Sequence, residues 1–133
     1  MKRGKKSPRR KLVSELDRVF SLYIRARDNK QYNGICPLCK TRPIEINFHV
    51  FPRKNMPTRW DERFCYGADR GCNYNEFIDR TEKNKARWRV IYIGIMGEEL
   101  YAKGEELSKS IAKYSTADLE GMIAEYKGKL EGL

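Results

Sequence analysis

The chain has 133 residues, and its 28 Lys and Arg outweigh 18 Asp and Glu to give a formal net charge of +10. A chain of this length builds one domain with a modest core, and a basic surplus of this size selects a polyanion, most commonly nucleic acid, as partner. No apolar run approaches the roughly 18 residues that a membrane-spanning helix needs, and no apolar segment follows the basic start as a secretory signal would require.

Met1 to Arg10 is expected to be a disordered basic tail, in which Arg9 and Arg10, with Lys11 behind them, contact phosphates nonspecifically. From Lys11 to about Asp28, the residues Leu12, Leu16, Val19, Phe20, Tyr23 and Ile24 recur at helical spacing and predict an amphipathic helix packed on the core. Asn33-Gly34 marks a turn, and Ile35-Cys36-Pro37-Leu38-Cys39-Lys40 follows as a knuckle that aims both thiolates at one ion. Ile44 to Phe51 alternates and is rich in β-branched and aromatic residues, predicting a short strand that carries His49. A loop with Pro52 and Pro57 leads to Trp60-Asp61-Glu62-Arg63-Phe64, and Cys72 or Asn73 is expected to open a helix through Phe77 and Ile78. Arg87 to Met96 has the β-branched content of a strand but the length of a helix, and a helix is expected. Ser115 or Thr116 caps the last helix, whose Leu119, Met122, Ile123, Tyr126 and Leu130 form one stripe that Gly132 ends.

The four cysteines, Cys36, Cys39, Cys65 and Cys72, bracket the single histidine, His49. Without export, Cys-x2-Cys and Cys-x6-Cys spacings read as metal ligands rather than disulfides, and four thiolates close a tetrahedral, structural zinc site. A strand ending in His, a loop, and a helix opening near Cys72-Asn73 is the order of parts in a ββα-metal nuclease site. Phosphodiester hydrolysis needs a base to activate water, which neutral imidazole suits at pH 7. It also needs a divalent ion to absorb charge on the phosphate, for which Asn73 and a carboxylate are suitable oxygen ligands of Mg²⁺. Read alone, His49 is equally a half-buried residue bonded to the backbone or a zinc ligand, and Asn73 a helix N-cap.

Lys11-Leu12, the run Phe20 to Asp28, the Cys36-x2-Cys39 knuckle and His49 with Phe51 and Arg53 form a recognisable series. It continues with Thr58-Arg59-Trp60-Asp61-Glu62-Arg63 and Cys72-Asn73, and closes with Lys113-Tyr114-Ser115 and Asp118-Leu119. From about Lys11 to Leu133 this series resembles the lambdoid phage NinG (Rap) recombination proteins, a family of DNA-junction endonucleases. Cys72-Asn73-x2-Glu76 is also similar to the last zinc ligand, metal-binding Asn and active-site Glu of phage endonuclease VII.

The resemblance implies an α+β, mainly helical fold, a zinc-stapled ββα-metal core flanked by N- and C-terminal helices. It implies His49 as general base, Asn73 and Glu76 as ligands of a catalytic Mg²⁺ or Mn²⁺, and Zn²⁺ as structural ion. The implied activity is binding and cleavage of branched DNA in the cytoplasm of a bacterial host. From their charge, Arg53, Lys54, Arg59 and Arg63 around the site are expected to contact phosphates. A second copy of the chain and phage or host recombination proteins are the further candidate partners.

Three departures stand out. Asp69 occupies the place of a cysteine in the family's second Cys-x2-Cys pair, so that either Cys65 or Asp69 completes the zinc set. Cys65 is preferred, because a soft thiolate competes better for zinc than a carboxylate. Phe64 stands where the family has Asn, and Phe48 stands where related nuclease sites carry an acidic ligand. These two feed the rival reading, a DNA-binding recombination accessory protein without nuclease activity. A plain zinc-ribbon interaction module is the third reading.

Overall fold

The computed structural model describes residues 7–133. Helix α1, Pro8–Gln31, starts where Ser7 accepts a hydrogen bond from the Arg10 amide and Pro8 fills the first helical position. Residues 8–10, expected to belong to the disordered basic tail, are therefore helical. The Arg9 guanidinium donates to the Tyr114 carbonyl at 2.6 Å. Met1 to Lys6 lie outside the described residues.

The predicted apolar stripe of α1 buries Leu16, Val19, Phe20, Tyr23 and Ile24. It packs on the last helix, α6, Thr116–Glu131, through Leu119, Ile123 and Tyr126. Ser115 caps α6 and Asp118 reaches back to the Ser115 amide, a reciprocal box that satisfies two otherwise orphaned donors.

Between these helices the chain forms a two-stranded antiparallel ribbon, β1 Ile46–His49 and β2 Cys65–Ala68, with Asn47 opposite Gly67 and His49 opposite Cys65. The strand is shorter than the predicted Ile44 to Phe51. The chain between the strands forms a short helix, α2 Met56–Arg59, and a 3-10 turn, Glu62–Phe64. After β2 come α3 Arg70–Ile78, α4 Glu82–Met96 and α5 Glu98–Ser108. The ambiguous stretch Arg87 to Met96 is helical. Gly97, at φ 88°, makes the sharp corner between α4 and α5 that a side-chain-bearing residue would resist. The fold is thus α+β and mostly helical.

Alternation along the ribbon divides the interior into two apolar clusters. Phe48, Tyr66 and Ala68 join Cys36, Leu38 and Cys72 with Trp88, Tyr92 and Tyr101 of α4 and α5. Cys65 joins the α1–α6 cluster with Trp60, and the His49 ring sits 6.5 Å from Phe20. Phe48 stacks on Trp88 at 5.9 Å and Phe64 packs edge-on against Phe51 at 5.7 Å, so both are core residues.

The ribbon is held on α1 by a buried ion pair. Asp28 is 1% exposed, pairs with Arg27, and accepts a 2.7 Å bond from the Gly67 amide. Arg27 in turn donates to the carbonyls of Glu62 at 2.7 Å and Cys65 at 2.8 Å. With both Asp28 oxygens and four of the five Arg27 N–H groups bonded, the cost of burying the pair is offset by hydrogen bonds that specify one docking of the ribbon.

Two helical glycines should respond oppositely to alanine. A Cβ at Gly104 of α5 would lie 2.6 Å from ring carbons of both Phe51 and Phe64, which the core holds in place, whereas one at Gly121 of α6 meets nothing within 4 Å. Gly104→Ala should cost roughly 1–3 kcal/mol through overpacking. Gly121→Ala should stabilise by about 0.5–1 kcal/mol through helix propensity. Urea denaturation of the two variants distinguishes them by sign.

Candidate metal centre and cleft

Cys36, Cys39, Asp69 and Cys72 come together, with one ligand atom from each lying within 4.8 Å of all the others. Local structure explains the convergence. The knuckle closes with the Lys40 amide donating to the Cys36 carbonyl at 2.8 Å, and Lys40 takes the left-handed turn at φ 60°. The Cys36 amide donates to the Arg42 carbonyl, and Ile35 pairs with Pro43, so the loop folds back on itself.

Asp69 stands where β2 becomes α3, and its two oxygens do different jobs. Oδ2 caps α3 by accepting from the Cys72 amide at 3.0 Å, and Oδ1 lies 3.2 Å from the Cys39 sulfur. The α3 helix therefore opens at Arg70 rather than at Cys72 or Asn73 as expected, and Cys72 sits in its first turn. Burial alone would push the Asp69 carboxyl up. Hydrogen bonds involving Cys72, Cys36 and Cys39 outweigh burial and hold it well below the ordinary carboxylate range, so it is an anion before any cation arrives. Three sulfurs and one carboxylate, all gathered within tetrahedral reach, suit a soft or borderline divalent metal such as zinc.

Cys65 is not part of this group, which corrects the preference for it as fourth ligand. It begins the strand that Asp69 follows, and four steps at about 3.3 Å separate the two positions by roughly 13 Å. Its side chain faces the α1–α6 core and is 0% exposed, and burial pushes its thiol far up. The preference for a softer ligand is overruled by strand geometry.

Of the other predicted residues, His49, Arg53, Asn73 and Glu76 line a cleft of about 970 Å³. β1 contributes Asn47 and His49, α1 contributes Asp17, Phe20 and Arg25, and α3 and α4 contribute Asn73, Glu76, Phe77, Trp88 and Tyr92. The His49 ring bonds the Arg59 carbonyl through Nε2 at 3.1 Å. A carbonyl only accepts, so Nε2 carries the proton and Nδ1 keeps its lone pair. Burial is the main influence lowering the His49 pKa, partly opposed by that hydrogen bond, and the ring is neutral at pH 7. Asn73 is exposed, while Glu76 is half-buried, bonded to Arg80 at 3.1 Å, and pushed up mainly by burial. Glu76 and Asn73 are three apart on α3 and face the same side.

Sequence reasoning passed over Asn47, Trp88 and Tyr92. Among the described residues, Asn47 Oδ1, Trp88 Nε1 and Tyr92 Oη are the buried side-chain polar atoms without a hydrogen-bond partner, and all three belong to residues lining this cleft. The signal for Asn47 was present, since it lies two residues before His49 on an alternating strand. Nothing local marks the Trp88 and Tyr92 polar atoms, because their neighbours come from other elements.

The predicted phosphate-contacting residues divide. Arg53 is 63% exposed at the cleft, and Lys54, Arg10 and Lys11 are exposed. Arg59 is only 14% exposed and is clamped to Asp17 by two bonds of 3.1 and 2.6 Å, beside the Trp60 indole, which bonds the same carboxylate at 2.9 Å. Arg63 pairs with Asp61 at 2.7 Å. Arg59 is therefore used internally, to position the carbonyl that orients His49, whereas Arg63 is exposed but ion-paired.

The ligand assignment is tested by titrating Zn²⁺ against a chromophoric chelator. Asp69→Asn keeps an N-capping oxygen but loses the negative charge, and should bind the metal more weakly, whereas Cys65→Ala should bind one ion per chain as tightly as the unmodified protein. Loss of the metal in Cys65→Ala would restore Cys65 as a ligand. Comparison of the chain with protein-family models, with curated proteins and with solved structures found no match.

Proposed function

We propose that the protein binds branched DNA and cleaves it as a metal-dependent, structure-specific endonuclease of the phage recombination type, resembling NinG, with zinc at Cys36, Cys39, Asp69 and Cys72 as a structural ion. The observation carrying this reading is that His49, Asn73 and Glu76, singled out by residue chemistry and resemblance, line one cleft while the sulfur-rich cluster is built from other side chains. The zinc cluster joins the knuckle to the strand–helix junction, and so fixes the origin of α3, which carries Asn73 and Glu76.

In this reading the His49 Nδ1 accepts the proton of the attacking water, since Nε2 is committed to the Arg59 carbonyl. A neutral, oriented imidazole needs no deprotonation before it acts. Asn73 and Glu76 would hold a Mg²⁺ or Mn²⁺ ion, which when bound neutralises charge on the phosphate and the leaving oxygen. Two protein oxygens on one helix face suit an ion that retains several waters. The Arg80 partner of Glu76 competes for that carboxylate, consistent with weak affinity. The net charge of +10 supports a polyanionic substrate. Exposed Lys54, Arg10 and Lys11 are available for phosphates, and exposed Arg53 would exchange a 3.5 Å pair with Asp17 for one.

A second reading is supported by Phe48 and Phe64. Both are 1% exposed core residues at positions where related nuclease sites place polar groups. Packing of this kind supports an accessory protein that keeps the DNA-binding scaffold without cutting.

The two readings separate in a cleavage assay on a four-way junction and a linear duplex with millimolar Mg²⁺ or Mn²⁺. Cleavage should favour the junction and should fall by about 10²–10⁴-fold in His49→Ala while zinc content and junction binding persist. Because the His49 pKa is lowered, the base stays competent through neutral pH, and the rate should drop only as pH falls below the ordinary imidazole value of about 6.5. Protein inert toward every branched substrate with either ion would establish the accessory reading. Cutting that survives His49→Ala would place the active site elsewhere.

A further inference from the structure

The helix that carries Asn73 and Glu76 also carries an unusual surface. Tyr74, Phe77 and Ile78 of α3 are 61%, 73% and 58% exposed, although large apolar side chains at this spacing normally face a core. At about 100° per residue, and measured from Asn73, Phe77 lies near 40°, Arg70 near 60°, Tyr74 near 100° and Ile78 near 140°. The four form one face, adjoining the Asn73 and Glu76 side, and Phe77 itself lines the cleft with His49. Arg70 opens this face one turn before Tyr74. It is 76% exposed, and its side-chain ion pair among the described residues is a 3.8 Å contact to Glu45.

We propose that Tyr74, Phe77 and Ile78, with Arg70 beside them, form a stacking platform for unpaired nucleobases at a DNA branch point, beside the cleft that takes the scissile phosphate. This rests on the DNA-binding reading and names what selects branched over linear DNA. Aromatic faces flanked by a cation suit single-stranded nucleic acid, because every base has a π-face and every linkage a negative charge. In an intact duplex the bases are stacked on one another and cannot reach such a platform, whereas at a branch they are free to unstack. A second copy of the chain is a poorer occupant. Stable homodimer cores bury about 800 Å² per partner, while this face belongs to one nine-residue helix, Arg70–Ile78, with an arginine at its N-terminal edge.

The test uses the full chain with its metal, a junction carrying 2-aminopurine at the branch, single-stranded DNA and paired duplex, and the variants Tyr74→Ala, Phe77→Ala and the double substitution. Because the side chains are exposed, melting temperatures should hold. Each ring removed should weaken junction and single-strand binding by about tenfold and reduce the quenching of 2-aminopurine. Duplex affinity and the salt dependence of binding should change little, since no phosphate contact is lost. Equal weakening on duplex, or unchanged junction binding in the double variant, would overturn the platform. So would light scattering that shows a wild-type dimer falling to monomer in Phe77→Ala, which would make this face a self-association surface. If the unmodified protein binds no DNA of any shape, the DNA reading itself fails, and that outcome is distinct from selective failure of the variants.

Discussion

The β1–β2 ribbon has only four residues in each strand, yet it is the wall shared by two apolar clusters, and the rest of the molecule depends on how it is seated. A ribbon this short does not hold together alone in water. Its position is set by the Arg27–Asp28 pair, which reaches from α1 to the Gly67 amide and to the carbonyls of Glu62 and Cys65. Gly67 allows this approach, since a Cβ there would lie 2.9 Å from Ile44 Cγ2 and 3.2 Å from Asp28 Cβ. Once the ribbon is pinned, the period of two in a strand assigns every side chain on it to one cluster or the other.

That assignment shapes the chemistry. Phe48 and Tyr66 are committed to the core beside the knuckle, and Asn47 and His49 are turned the other way, toward α1 and the cleft. The string Thr58 to Arg63 acts chiefly as scaffolding. Arg59 and Trp60 both bond Asp17 of α1, Asp61 holds Arg63, and the Arg59 carbonyl receives His49. Motif residues are thus tied to the site through the backbone they immobilise rather than through contacts in the cleft.

Asp69 links the same scaffold to the metal cluster. One oxygen caps α3 and the other faces the sulfurs, so a single carboxylate sets both the start of the helix and the fourth corner of the cluster. A cysteine at this position could ligate a metal but could cap the helix only weakly, because a thiol is a poor acceptor. Cys72, in the first turn of α3, belongs to the cluster, and Asn73 and Glu76 follow it on the same helix.

The amino-acid sequence by itself determined the long amphipathic α1, the capping box and apolar stripe of α6, the Cys36–Cys39 knuckle, and the short strand carrying His49. Each is a local pattern whose physical cause, periodicity, capping or turn chemistry, lies within a few residues. The gathering of His49, Asn73 and Glu76 on one cleft was anticipated from residue chemistry and resemblance. Tertiary structure decided what depends on residues distant in the chain. It chose Asp69 over Cys65, because strand length and pleat direction rather than ligand softness control which atoms meet. It drew Arg59 into the interior, because Asp17 on another helix was there to receive it. It left Tyr74, Phe77 and Ile78 exposed, because none of the described elements covers that face of α3. Burial and ion pairing are properties of neighbours, and neighbours across the fold are what a linear pattern does not name.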